Sequence, residues 1–276
     1  MNHSNSNSNS NSVISNYSNY KDYLETDWNA NRNRILLFAD IMGFKELVKT
    51  KQHSDLVLKF RKFINELTML MEPLETGKHL RLTMFSDSII IGTDSCTIKN
   101  FNIIVKAAAL LMNLCYEHSL PINGCISCGS LTFDEQSQSA ERISETKGKR
   151  KIQPYMPLFI GDSVVNAHIL NEDLFCYGIV LHPSAESLFK ESTRHLNKKF
   201  HHPFRYIPIP MKSGGHANLY YLLWTDVSTP LTLKGVSLMH YIEWLKDLEQ
   251  SKATSRPRTY IYHTLEICKL LLDIHE

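Results

Sequence analysis

Two carboxylates carry the chemistry that can be read most directly from this sequence. Asp40 ends the apolar run Ile35-Leu36-Leu37-Phe38-Ala39 and leads into Ile41-Met42-Gly43-Phe44, while Asp87 follows Leu82-Thr83-Met84-Phe85-Ser86 and precedes Ser88-Ile89-Ile90-Ile91. An apolar run that closes on an acid and then a glycine reads as a strand delivering a carboxylate to a backbone turn, where hard divalent cations and nucleotide phosphates are usually held. Two acids so placed can share metal ions. Taken singly each has a plainer role, Asp40 as a helix N-cap and Asp87 as a turn former.

The elements that must position these acids follow from the apolar periodicity. Ile35 to Asp40 reads as a buried strand, and Ser54 can cap a helix through Glu72 in which Leu56, Phe60, Phe63, Ile64, Leu67 and Leu70 recur at helical spacing. His79 to Phe85 and Ser88 to Thr93 read as strands joined by the Ser86-Asp87 turn, a hairpin with an acid at its tip. A helix from Thr97 to His118 is stopped by Pro121, and Ile122 to Phe133 is a strand whose Gly124 and Gly129 mark a bulge or a close approach. Pro157 to Leu170 gives a short strand, a turn at Gly161 and a helix. Gly178 to Leu181 is a strand, Ser184 to Ser192 a short helix, and Tyr206 to Pro210 pairs with Asn218 to Trp224 around Gly214-Gly215. Two amphipathic segments follow, Ser237 to Gln250 and Pro257 to Ile274. The order β-α-β-β-α-β describes an α+β, ferredoxin-like fold, a mainly antiparallel central sheet with helices packed on one face.

Composition narrows the class. A chain of 276 residues can bury a sizeable core. The division expected is an Asn/Ser-rich disordered tail over residues 1–31, a catalytic domain over 32–226 and a helical extension over 227–276. The formal net charge of +2 gives no global field for nucleic acid. The dense basic run Lys147-Gly148-Lys149-Arg150-Lys151 reads as a solvated loop or a phosphate-binding one. No stretch approaches the roughly 20 uninterrupted apolar residues of a spanning helix, so no membrane partner and a cytoplasmic location are expected. Six cysteines show no paired framework, and Cys125-Ile126-Ser127-Cys128, alone at metal-like spacing, reads as structural.

The motifs then meet a family. Phe38-Ala39-Asp40-Ile41-Met42-Gly43-Phe44 resembles the Phe-x-Asp-(Ile/Leu)-x-Gly-Phe element of the class III nucleotide cyclase catalytic domain. Phe85-Ser86-Asp87 resembles the hairpin carrying that family's second metal aspartate, Gly161-Asp162-Ser163-Val164 its Gly-(Asp/Lys)-Thr-Val segment, and Gly124 to Gly129 fits the strand between. The resemblance runs from Arg34 to Asp173 in order and spacing. It implies a site for two Mn2+ or Mg2+ ions held by Asp40, Asp87 and the Ile41 carbonyl. The amides of Met42, Gly43 and Phe44 are then placed for the β- and γ-phosphates, and Phe44 for the sugar or base.

Departures from the family's pattern concern the base. Its purine-reading positions fall on Thr83 and Leu158, and its transition-state Asn and Arg on Val165 and Ile169, with Asn166 one place off. Kept metal acids with lost purine readers resemble the pyrimidine cyclases of bacterial Pycsar antiphage systems. That resemblance implies conversion of UTP, or CTP, to the 3′,5′-cyclic monophosphate and pyrophosphate, with the product acting on a separate effector protein. Arg81, two residues before Thr83 on the same strand face, is a candidate pyrimidine or phosphate contact, or a strand-end arginine facing solvent. The resemblance also implies a head-to-tail homodimer with sites at the interface. Asn166 and His168 are either polar groups across that interface or solvent-facing helix residues. A rival reading is a catalytically inactive cyclase-like module that binds a nucleotide for regulation. An RNA-binding sheet of the same topology would need exposed aromatics where these strands carry acids and aliphatics.

Overall fold

The strand Arg32–Ile41 (β1) has no face left for solvent along most of its length, with Ile35, Leu36, Leu37 and Ala39 fully buried, and this makes it the centre of the sheet. The computed structural model describes residues 28, 30–74, 80–134, 158–194, 203–225, 236–250 and 255–273. The Asn/Ser tract ahead of Trp28 and the basic run at 147–151 lie outside the described residues.

The other strands are Leu80–Phe85 (β2), Ser88–Thr93 (β3), Ile122–Asp134 (β4), Leu158–Ile160 (β5), Gly178–Leu181 (β6), Phe204–Pro210 (β7) and His216–Leu222 (β8). Their spatial order is β2-β3-β1-β4-β6-β8-β7, with β5 paired to the end of β4. β1 is antiparallel to both neighbours, Asp40 facing Ser88 on β3 and Asn123 on β4. Among the described residues only β4 and β6 run parallel. The first four strands thus have the ferredoxin-like order expected from the sequence.

The helices are Phe44–Thr50 (α1), His53–Met71 (α2), Ile98–Glu117 (α3), Asp162–Asp173 (α4), Glu186–Arg194 (α5), Leu238–Gln250 (α6) and Ser255–Asp273 (α7). Side chains alternate along β1, so Arg34, Leu36, Phe38 and Asp40 share one face and Ile35, Leu37 and Ala39 the other. α3 packs on β1 and β3 and α2 packs on α3, and Ile35, Leu37 and Ala39 are fully buried in the core these helices share. α4 lies across the Phe38–Asp40 face: His168 sets its ring edge-on against Phe38 at 5.5 Å, and Ser127 Oγ donates to the Ser163 carbonyl at 2.6 Å. The expectation of helices on one face is corrected accordingly. α4 returns over β4 because Gly129 leaves room for it; a Cβ there would meet Ser163 N at 3.0 Å.

Thr97 caps α3 as its residue type favours, accepting from Asn100 N at 3.2 Å, whereas Ser54 lies inside α2, whose cap position is Gln52. α3 is the helix among the described residues long and apolar enough to cross a membrane, and its Phe101, Ile104, Leu111 and Leu114 are buried in the core. Tyr241 and Leu245 of α6 and Ile261, Cys268 and Leu271 of α7 join that same core.

The cysteines depart from expectation. Cys96 and Cys128 form a disulfide between the β3–α3 connection and β4, a pairing their separation of 32 residues does not announce. Cys125 and Cys128 lie three apart on one strand, so they point to opposite faces and cannot act as a chelating pair. Cys115, Cys125, Cys176 and Cys268 are buried thiols, and burial raises the pKa of each, that of Cys176 and Cys268 to about 12.

Candidate active site

The two acids meet because of one hairpin. β2 and β3 are joined by Ser86-Asp87 alone, with Phe85 paired to Ser88 and Ser86 in the left-handed region at φ +57°. The Asp87 carbonyl then accepts from Ile41 N at 2.8 Å, which ties the hairpin tip to the end of β1 and brings Asp87 beside Asp40. Both line a cleft of about 550 Å³.

Asp40 is held at both oxygens. Ser88 Oγ donates to Oδ1 at 2.6 Å and Asn171 Nδ2 donates to Oδ2 at 2.9 Å. Burial raises the Asp40 pKa and the nearby Asp87 charge raises it further; the bonds from Ser88 and Asn171 and the field of His168 oppose this without overcoming it. A half-buried carboxylate destabilised in its charged form, beside a second carboxylate, is relieved by a cation. Among the described residues no third His, Cys, Asp or Glu joins them, so the donor set is two carboxylates and neutral oxygens. That set suits Mg2+ or Mn2+, which bind through one or two carboxylates and take further oxygens from phosphate and water.

The turn after β1 bends sharply at Gly43, whose φ of +76° is left-handed, and α1 starts at Phe44. Met42 N donates to the Pro121 carbonyl at 2.7 Å, which corrects the expectation that its amide faces an anion. The amides of Gly43 and Phe44 have no backbone partner among the described residues. Phe44 lines the cleft and rests edge-on against Phe60 at 5.3 Å. Ile41 also lines it and is buried, so what it can offer is its backbone.

The structure does not bring Arg81 or Thr83 to this cleft. Arg81 pairs with Gly92 at the other end of the hairpin, and its guanidinium lies 5.0 Å from the centre of the Trp28 ring and donates to the Leu80 carbonyl. The reading of Arg81 as a base or phosphate contact within its own protomer is thereby corrected: the indole occupies it. Thr83 is half-buried in mid-strand, opposite Ile90. Leu158 falls on β5. Val165 and Ile169 are exposed on α4, Asn166 is half-buried there, and His168 is half-exposed with Nε2 3.6 Å from Glu172 Oε1.

Several residues enter the cleft that sequence reasoning missed. Asn123 and Asn171 are both buried, Asn123 Nδ2 donates to the Asn171 carbonyl at 3.3 Å, and each keeps a buried Oδ1 without a partner among the described residues. Lys212, after β7, also lines the cleft; its ammonium donates to the Glu172 carbonyl and lies 5.5 Å from the centre of the Tyr260 ring. Tyr260, from α7, stacks on Tyr177 at 5.6 Å. The sole signal for Lys212 was its place beside Ser213-Gly214-Gly215, a tight turn between two strands.

No family model and no curated protein matches this chain. Among solved structures it is similar to the guanylate cyclase domain of RhGC from Catenaria anguillulae in complex with GTP, at 12% identity over 69% of this chain and 96% of that one, with a TM-score of 0.47. It is similar to the adenylyl cyclase CyaB from P. aeruginosa, at 12% identity over 70% and 94% with a TM-score of 0.43. A dimeric guanylyl cyclase domain from Blastocladiella emersonii gives 13% over 70% and 94%, with a TM-score of 0.45. Likeness this distant speaks to neither substrate nor activity.

Proposed function

We propose that the cleft takes a nucleoside triphosphate with divalent cations and that the chain is a nucleotide cyclase. The observation that carries this reading is the meeting of Asp40 and Asp87, tied together by the Ile41–Asp87 bond, at a glycine turn in a cleft that Lys212 also lines. Asp40 and Asp87 would hold the ions, with the Ile41 carbonyl as a further oxygen. When bound, the two ions supply charge neutralisation on the triphosphate and lower the pKa of the ribose 3′-hydroxyl. The chain's own part is orientation. Ser88 and Asn171 fix the Asp40 carboxylate, the Gly43 and Phe44 amides and Lys212 face the phosphates, and Phe44 walls the sugar side. The 3′-hydroxyl gives up its proton to water, its oxygen attacks the α-phosphorus, the bond to the β-phosphate oxygen breaks, and pyrophosphate leaves.

Thr83 and Leu158 stand where a purine reader would, which favours a pyrimidine, UTP or CTP, and hence cyclic UMP or cyclic CMP as product. The sequence resemblance to pyrimidine cyclases favours a role for that product as a messenger in antiphage defence, acting through a separate effector protein in the cytoplasm. Exposed Phe85 on the hairpin and exposed Val165 and Ile169 on α4 would be covered by a second copy, and Thr83 of that copy would approach the base. Those two α4 residues also favour a second reading, an inactive nucleotide-binding module, because they are apolar where a transition-state Asn and Arg are expected.

Incubating the protein with each of the four NTPs and Mn2+ and separating the products tests both readings. A 3′,5′-cyclic pyrimidine nucleotide that Asp87→Ala abolishes supports the cyclase. Tight nucleotide binding with no cyclic product leaves the regulatory module.

A further inference from the structure

We infer that Asn171 is the positioning residue of this site: it holds the Asp40 carboxylate in the orientation that receives a divalent cation, an inference that rests on the metal reading of the cleft. Four observations carry it. Asn171 is 1% exposed, so its amide is placed by packing and not by solvent. Its Nδ2 donates to Asp40 Oδ2 at 2.9 Å while Ser88 Oγ takes Oδ1 at 2.6 Å, so the carboxylate cannot rotate without breaking one of the two bonds. Its carbonyl accepts from Asn123 Nδ2 at 3.3 Å, which anchors the α4 backbone to the strand next to Asp40. Its Oδ1, like that of Asn123, is buried and unpartnered, and both residues line the cleft. Two uncompensated amide oxygens beside two carboxylates add negative potential where a cation would sit.

The same turn of α4 also fixes Lys212, which lines the cleft. The Glu172 carbonyl accepts from the Lys212 ammonium, and the Asp173 carbonyl accepts from Lys212 N at 2.7 Å. Asp173 also takes both Ser213 donors, its N at 2.7 Å and its Oγ at 2.6 Å. Three consecutive residues therefore set the acid and the lysine in one frame. A carboxylate already oriented costs less to bring to a metal than one that must be ordered on binding, and partners of this kind typically change metal affinity by roughly 10- to 100-fold.

Mn2+ alone, titrated into the full chain and followed by the loss of the free-ion EPR signal, tests this. Asn171→Leu keeps the volume and removes both polar ends; its Mn2+ affinity should fall roughly 10- to 100-fold while circular dichroism and the melting profile stay those of a folded chain. If Asn171→Leu does not fold, Ser88→Ala, on the partly exposed hairpin, removes the other bond and should loosen Mn2+ in the same direction. Asp40→Asn is the reference. If Asp40→Asn abolishes Mn2+ binding and folded Asn171→Leu, or Ser88→Ala in its place, binds as the wild type does, the positioning role is wrong and the metal reading stands. If Asp40→Asn itself leaves Mn2+ affinity unchanged, the metal reading of the cleft fails, and with it this inference.

Discussion

Replacing Lys212 with methionine should weaken a triphosphate and spare a monophosphate. The ammonium sits at the C-terminal turn of α4, on the Glu172 carbonyl and over the Tyr260 face, and Lys212 lines the same cleft as Asp40 and Asp87. A phosphate oxygen about 4 Å away would gain about 4 kcal/mol at an effective dielectric of about 20. Lys212 is exposed and must release part of its hold on the carbonyl, so a net of about 1–2 kcal/mol is expected, roughly 5- to 30-fold in Kd. Calorimetry with Mn2+ and the 3′-deoxy analogue of the triphosphate that is turned over measures binding without reaction, since the attacking hydroxyl is gone. The matching nucleoside monophosphate is the comparison. Equal losses for the two ligands, or none for the triphosphate, would falsify the assignment of Lys212 to the phosphate side.

Asp40→Asn should abolish turnover and yet raise the melting temperature at neutral pH. The folded state raises the Asp40 pKa, so its destabilisation by the charged form is absent below the ordinary carboxylate range and grows as pH rises through the raised value; the gain of the variant should vanish below about pH 4. A difference in melting temperature that is flat from pH 4 to 8 would contradict this. Gly161→Ala places a Cβ 2.0 Å from the Ser130 carbonyl oxygen at a φ of +150° and should cost about 3 kcal/mol or more, seen as a lower urea midpoint. A midpoint like the wild type's would mean that α4 is not anchored as described. Ile169→Glu puts a charge on an exposed apolar position and should turn the proposed dimer into monomers in sedimentation while the monomer stays folded; a dimer of unchanged sedimentation coefficient excludes α4 from the proposed interface.

The sheet was largely legible because its signals are local. The apolar run to Asp40, the two-residue turn at Ser86-Asp87 and the capping Thr97 each specify their element within a few residues, and the strand order follows from the order of elements. Pairings across the chain were not legible. Asn171 lies 131 residues from Asp40, and a polar residue on a helix reads as solvent-facing until the packing of α4 over β1 is known. Arg81 looked available because nothing near it in sequence reveals Trp28, and Cys96 and Cys128 looked unrelated for the same reason. Thr225 to Glu276 offered only apolar faces, and that Tyr260 reaches the cleft depends on α7 docking beside Tyr177.

β1 is also a ruler. Its ten residues span about 30 Å, with Asp40 at one end and Arg32, just past Trp28, at the other. Trp28 is pinned there, its carbonyl accepting from Phe133 N at 2.9 Å and from Arg34 Nη1 at 2.9 Å. The described chain therefore begins at the end of the sheet remote from the cleft. A fluorophore or affinity handle placed on Arg32 would sit about 30 Å from Asp40 and leave the cleft clear, whereas one placed on Tyr260 of α7 would stand in its lining.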